Sequence, residues 1–392
     1  MSNQVYILGA ARTPMGSFQG ALSTLTAPEL SARTIQAVVE RSAVPAQDIQ
    51  EVILGCVLPA GLKQGPARQA MRIAGLPDQI PATTVNKICG SGMKAVMIAA
   101  DTIQVGHADV VVAGGMESMS NAPYLLAKAR TGYRMGHGEI QDHLFLEGLE
   151  DAETGRSMGS FAQEMANQKN YSREQMDQFA IHSLTKAQAA IEHDYFSAEI
   201  VPITVKNRRQ DVIVSHDEQP SKANLDKIPT LKAAFAQGGT ITAANSSSIS
   251  DGASALLLAS QAYVEQYQIP ALAKIVAYSS HAQHPSEFTI APIGAIQKVL
   301  KQTGWSIEDV DLWEINEAFA MVTMAAIDAF QLPSDRVNIH GGACALGHPL
   351  GSSGSRIIVS LIFALQRLGK TRGIAALCIG GGEATAIAIE RL

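Results

Sequence analysis

Short β-branched runs alternate with alanine-rich stretches of helical period along most of the chain. Residues 5–8, 51–55, 110–113, 312–315 and 375–379 are apolar runs of strand length, which predict buried strands. Residues 29–41, 92–105, 173–192 and 354–368 carry their apolar positions at helical spacing and predict helices. Alternation of this kind favours an α/β fold with sheets covered by helices.

The two ends echo each other. Gly90-Ser91, a helix, a glycine turn at Gly106, an apolar strand and Gly114-Gly115-Met116-Glu117 follow in that order. Gly351-Ser352, a helix, a turn at Gly369, a strand and Gly380-Gly381-Gly382-Glu383 repeat it. Upstream, the segment 48–53 is echoed by 308–313. This reads as an internal duplication of a mixed α/β unit. Between the copies, over roughly residues 120–250, the apolar rhythm loosens. Inserted loops on a rigid scaffold commonly carry ligand recognition, so the substrate surface is expected there.

Charge narrows the partners. A net charge of −6 argues against general nucleic-acid binding, which needs a basic face. It leaves room for an anionic ligand at a local patch formed by Lys206, Arg208, Arg209, Lys222, Lys227 and Lys232. No segment reaches the roughly 18 uninterrupted apolar residues of a membrane span. The best run, 357–365, ends at Gln366-Arg367. The chain enters a strand almost at once, without a charged leader, so a cytoplasmic location and no membrane partner are expected. Cys56, Cys89, Cys344 and Cys378 contain no C-x-x-C pair, which disfavours zinc, and a disulfide framework is not expected either.

Three groups stand out chemically. Cys89, between a polar run and the helix beginning near Ser91, would feel the helix dipole and donor N–H groups, which lower a thiol's pKa. His348, in Gly347-His348-Pro349-Leu350-Gly351, sits in a turn entering a helix and suits a catalytic base or an oxyanion donor. Cys378 ends a strand and opens Gly380-Gly381-Gly382, whose N–H groups can face a developing oxyanion. Asn316 emerges at the C-terminal end of the 312–315 strand, where ligands bind in open α/β sheets, and suits holding a water or a carbonyl. Glu317 suits capping the next helix. Cys56 and Cys344 lie among small apolar residues and are assigned no chemistry.

Five motifs, spread from end to end, resemble those of the thiolase family: 86–92 (NKICGSG), 114–120 (GGMESMS), 316–319 (NEAF), 347–351 (GHPLG) and 378–382 (CIGGG). The resemblance implies a five-layered α-β-α-β-α architecture. Residues 1–120 would form the N-terminal half with the nucleophile, and 121–250 an inserted loop region for CoA and oligomer contacts. Residues 251–270 would return to the first half, and 271–392 would form the second. It also implies an acyltransferase in which Cys89 carries the acyl group, His348 activates it and Cys378 moves the α-proton. Asn316 would position a water, and the N–H groups of Cys89 and Gly380 would form an oxyanion hole. Ser247, Met158, Ala243, Phe288 and Leu231 would contact the substrate. No cofactor is implied, coenzyme A being substrate and product, and the assembly would be a homodimer or homotetramer joined through residues 124–138.

The motif wording is closer to the acetyl-CoA acetyltransferase branch, which condenses two acetyl-CoA or cleaves acetoacetyl-CoA. A 3-ketoacyl-CoA thiolase for longer chains is the alternative, and a silent binder of acyl-CoA or lipid is the alternative outside enzymes. A decarboxylating ketoacyl synthase fits less well, since it typically has a second histidine in place of Cys378. Several positions depart from the family pattern: Ser157 for a histidine, Phe288-Thr289 for Met-Gly, Ala244, Ser248 and Ser250 for Gly, Gly and Asn, and Glu383-Ala384 for Met-Gly.

Overall fold

Strands that build a core must satisfy their backbone groups laterally, and here one long sheet does so. The structure is a computed structural model describing residues 4–207 and 210–392. Its principal strands are β1 (Val5–Arg12), β2 (Glu51–Gly55), β3 (Ala82–Val85), β4 (Val110–Ser118), β5 (Ser250–Ser260), β6 (Ala273–Ala282), β7 (Leu312–Ile315), β8 (Arg372–Ile379) and β9 (Glu383–Arg391). The principal helices are α1 (Ala27–Ser42), α2 (Pro66–Ile73), α3 (Ser91–Gln104), α4 (Met158–Gln168), α5 (Arg173–Glu192), α6 (Ala291–Thr303), α7 (Ala320–Phe330) and α8 (Leu350–Leu368).

The strand order is β7-β8-β9-β6-β1-β5-β4-β2-β3. In the first half β1, β5 and β4 are antiparallel neighbours, with β2 and β3 added in parallel. The second half repeats this with β6, β9 and β8 antiparallel and β7 parallel to β8. A parallel bridge from Trp313 to Val337 stands where β3 stands in the first half. The halves join where β1 meets β6, through Val5–Ile275, Tyr6–Lys274 and Ile7–Ala273.

The apolar clusters define the layers. Leu30, Ile35 and Val38 of α1 and Met71 of α2 cover one face of the first half. Ala295, Ile296 and Val299 of α6 and Ala326 of α7 cover the outer face of the second. Met93, Val96 and Met97 of α3 share a cluster with Ile357, Ile358, Leu361 and Leu365 of α8, packed between the two half-sheets. That is five layers, α-β-α-β-α. The apolar run at 357–365 is explained by this position, because a helix between two sheets is apolar all round. Each large side chain so buried contributes about 1.5–3 kcal/mol. Among the described residues no helix is long and apolar enough to cross a membrane.

The 250–260, 273–282 and 383–391 strands are not among those that the apolar runs predict. All of Ser250–Ser260 is buried, yet it is built largely of serine, alanine and glycine, which look loop-like. The glycine echo is also displaced. Gln50 N–H bonds Val110 O as Asp311 N–H bonds Arg372 O, so Val110 lies level with Arg372 and Glu117 with Ile379. Glu117 and Glu383 therefore do not occupy equivalent places in the duplicated unit.

Candidate active site

Cys89 sits two residues before α3, in a loop wound on itself. Gly90 N–H bonds Lys87 O (3.0 Å), and Ser91 N–H bonds Ile88 O (3.0 Å). The Ser91 hydroxyl accepts from Lys87 N–H (2.8 Å) and donates to Ile88 O (2.7 Å). These bonds hold Ile88 at φ 47°, a left-handed conformation that costs a β-branched residue about 1–3 kcal/mol. No side chain caps α3, whose N-cap is Gly90.

The second half supplies the opposite wall. Cys378 lies near the end of β8, and the turn into β9 needs φ 84° at Gly381 and 88° at Gly382. A Cβ on Gly382 would fall 2.3 Å from Gln283 O, so glycine is required there on both counts. His348 follows Gly347, at φ 105°, just before α8. Its N–H bonds Ser248 O (3.0 Å), and Nδ1 lies 2.5 Å from Ser353 Oγ. Ser353 Oγ also lies 3.0 Å from Pro349 O. Donating its one proton to that carbonyl leaves the hydroxyl to accept from Nδ1–H. His348 Nε2 then carries the lone pair, and it is buried without a hydrogen-bond partner among the described residues.

Cys89, His348, Cys378, Gly380, Ser247, Met158, Ala243 and Phe288 line one cavity of about 380 Å³. Two predicted residues lie elsewhere. Asn316 is buried outside that lining, two residues before Ala318, which belongs to it. Its N–H bonds Ala376 O (3.0 Å), and Oδ1 lies 3.5 Å from Arg356 Nη2. Leu231 lines a neighbouring cavity of about 340 Å³ that also includes Ala243, Ser248, Lys227 and Cys344. Ala243 and Ser248 border both. Of the basic patch, Arg208 and Arg209 lie outside the described residues, and Lys222 is tied to Glu218.

The electrostatics differ from the dipole expectation. Burial pushes the Cys89 thiol up to about 11, outweighing the opposing pull of the N–H groups of Gly380 and of Cys89 itself. Burial, and then Cys89, hold Cys378 well above the usual thiol range. Burial, and then the Arg356 guanidinium, push His348 down to about 3. At neutral pH the resting set is two protonated thiols beside a neutral imidazole able to accept a proton.

The departures from the family pattern have definite places. Ser157 caps α4, with its hydroxyl 2.8 Å from that of Ser160, and lines the cavity. Phe288 is buried in the cavity wall, 6.5 Å from Phe319, which is 6.0 Å from Phe235. Glu383 is not in the cavity lining and pairs with Lys87. Ser248 Oγ lies 3.3 Å from Ser250 Oγ. Sequence reasoning missed Phe235, Ser353 and the carboxylate role of Glu117. Only Ser353 carried a signal, as a hydroxyl in the first turn of the helix that follows His348. Glu117 Oε1 accepts Leu58 N–H (3.0 Å), while Oε2 accepts Val57 N–H (3.0 Å) and Gly351 N–H (2.8 Å). Among the described residues no cluster of His, Cys, Asp or Glu has the make-up of a metal site.

Known proteins resemble the chain in sequence and fold. The model of the thiolase N-terminal domain matches residues 5–262, and that of the thiolase C-terminal domain matches 269–391. The acetyl-CoA acetyltransferase of Escherichia coli (strain K12) is 46% identical over 389 residues, 98% of each chain. The structure of Bacillus anthracis acetyl-CoA acetyltransferase aligns with a TM-score of 0.97 at 43% identity, covering 100% of this chain and 99% of that one. A thiolase from Ascaris suum in complex with coenzyme A aligns with a TM-score of 0.95 at 42% identity, covering 99% and 100%. The chain belongs to the thiolase family.

Proposed function

We propose that the chain is an acetyl-CoA acetyltransferase, joining two acetyl-CoA into acetoacetyl-CoA and CoA, and cleaving acetoacetyl-CoA with CoA in reverse. The observation that carries this reading is the meeting of two thiols, a neutral imidazole and the Gly380 N–H around one cavity. Relatives named acetyl-CoA acetyltransferase, similar over nearly the full chain, support the substrate. In this reading Cys89 Sγ attacks the thioester carbonyl while its proton passes to His348 Nε2. The oxyanion is met by the N–H groups of Cys89 and Gly380. The carbonyl re-forms, the C–S bond to CoA breaks, and the departing thiolate takes the proton back from His348. The Cys378 thiol then passes its proton to the neutral His348, and the resulting thiolate takes an α-proton from a second acetyl-CoA. Its enolate, with protonated His348 and a water positioned by Asn316 on the oxygen side, attacks the acetyl carbon and expels the Cys89 thiolate, which takes the proton from His348. Each positioned proton transfer contributes on the order of 10²–10⁴ in rate.

Ser247, Met158, Ala243 and Phe288 would hold the acyl and pantetheine parts, with Leu231 further out along the neighbouring cavity. No cofactor enters the scheme. A cytoplasmic location suits four free cysteines, which favour a reducing compartment. A homotetramer suits the exposed Tyr124, Leu126, Tyr133 and Met135 on the 124–138 segment, and light scattering at a monomer mass would refute it. The function is tested by thiolysis of acetoacetyl-CoA against a C8 or C10 ketoacyl-CoA, with mass spectrometry of the acylated chain. Preference for the longer substrate, or no acetyl on Cys89, would overturn it.

A further inference from the structure

The loop that carries Cys89 is laid along the turn that carries Gly380, and every contact between them crosses from one half of the molecule to the other. A Cβ on Gly90 would lie 2.3 Å from Ile379 Cδ1, so backbone and side chain touch there. Ile88 Cδ1 lies 3.8 Å from the place a Gly380 Cβ would take. Cys89 and Gly380 meet in the lining of the same cavity. At the rim, Lys87 and Glu383 form an ion pair, with side chains 22% and 36% exposed. Gly90 and Ile88 contribute only van der Waals contact. The ion pair is the directional tie, and it grips the residue next to Ile88, whose left-handed backbone persists only if its surroundings over-determine it.

We propose that Lys87 and Glu383 act as positioning residues, their ion pair holding the 86–90 loop against the 379–383 turn so that the Cys89 sulfur stays under the Gly380 N–H. The proposal rests on Cys89 being the nucleophile. A pair this exposed adds little to global stability. A sulfur displaced from its oxyanion donors, by contrast, loses rate steeply.

The test uses the full-length chain and four variants: Lys87→Met, Glu383→Gln, both together, and the charge-reversed Lys87→Glu/Glu383→Lys. The expected result is a fall in kcat of about fivefold to twentyfold in each single variant, with KM held within about twofold. The Met/Gln double variant should be no slower than either single, because removing one partner already breaks the pair. The reversed pair should recover most of the loss, and all four should melt close to the parent.

A simple field effect gives a different pattern. Losing the lysine would then raise the Cys89 thiol pKa and losing the glutamate would lower it, so iodoacetamide alkylation of Cys89 would shift in opposite directions. That outcome overturns the proposal. So do single variants within about twofold of the parent, multiplying effects in the double variant, no recovery in the reversed pair, or lowered melting with kcat unchanged. The parent serves as the control for the functional reading. If it never forms acetyl-Cys89, that reading fails, whereas a parent that acetylates beside unslowed variants sinks only the positioning role.

Discussion

Two carboxylates cross between the halves, and they are set up in opposite ways. Glu117 of β4 is fully buried and accepts three backbone N–H groups, including Gly351 at the start of α8. Glu383 opens β9 on the rim and grips one flexible lysine beside the Cys89 loop. Burial pushes Glu117 up to about 7, against the pull of its backbone donors. The contrast teaches where rigidity is spent. The loop bearing His348 is clamped from inside by a buried carboxylate that fixed backbone donors hold, and the loop bearing Cys89 is tied from outside by a partly exposed ion pair. The halves share a strand order but, in the proposed reaction, divide the chemistry, with the nucleophile Cys89 in one and the proton-handling His348 and Cys378 in the other.

The sharpest way to break that division is to remove one member from each side. Cys89→Ala is expected to lower thiolysis by on the order of 10⁴-fold or more and to abolish acetylation by acetyl-CoA. Cys378→Ala is expected to keep the acetylation step and lose condensation, so acetyl-enzyme accumulates on mass spectrometry. Equal loss of acetylation in both variants would erase the division.

The buried tie comes next in size. Glu117→Gln turns one of two accepting oxygens into a donor that faces backbone N–H groups. A loss of about 2–4 kcal/mol is expected by urea unfolding. Glu383→Gln should cost under about 1 kcal/mol on the same measurement. Similar values for the two would remove the contrast between the ties.

A pH series sharpens the electrostatic side. Below about 11 the Cys89 thiol is mostly protonated, so its thiolate fraction grows with rising pH. Alkylation of resting enzyme should climb nearly tenfold per pH unit from pH 7 to 10 without a plateau. His348, held near 3, should add no inflection between pH 6 and 8. A plateau beginning near pH 7 would mean that the helix dipole wins over burial after all.

The smallest expected effect concerns the pocket wall. Phe288→Ala removes a ring packed toward Phe319, and a relative gain of about threefold to tenfold for C6 over C4 ketoacyl-CoA is expected in kcat/KM. An unchanged ratio would show that Phe235 and Phe319 set the length limit instead.

Much of this site was legible along the chain because turn chemistry is local. Glycines at Gly347, Gly381 and Gly382 mark backbone that other residues resist, and the chemical groups sit beside them. Helices with a clear apolar period were found within a few residues of their observed ends. Strand 250–260 escaped because its burial comes from neighbours on both faces, which allows small and polar residues throughout, and 273–282 because it is only partly buried and mixes polar with apolar residues. The apparent repeat of the glycine runs was misleading for a similar reason. Glycine is used both where β4 passes tightly over α8 and where β8 turns into β9, and only the sheet register separates those uses.

The sequence by itself determined the duplicated α/β pattern, the turns that carry Cys89, His348 and Cys378, and the family, since each is carried by local spacing. Tertiary structure decided the rest. It set Asn316 behind the cavity wall and Leu231 in the neighbouring cavity, and it turned Glu383 outward to Lys87. It also reversed the expected pKa of Cys89, because desolvation depends on everything packed around the sulfur and outweighs the few dipoles that the local sequence aims at it.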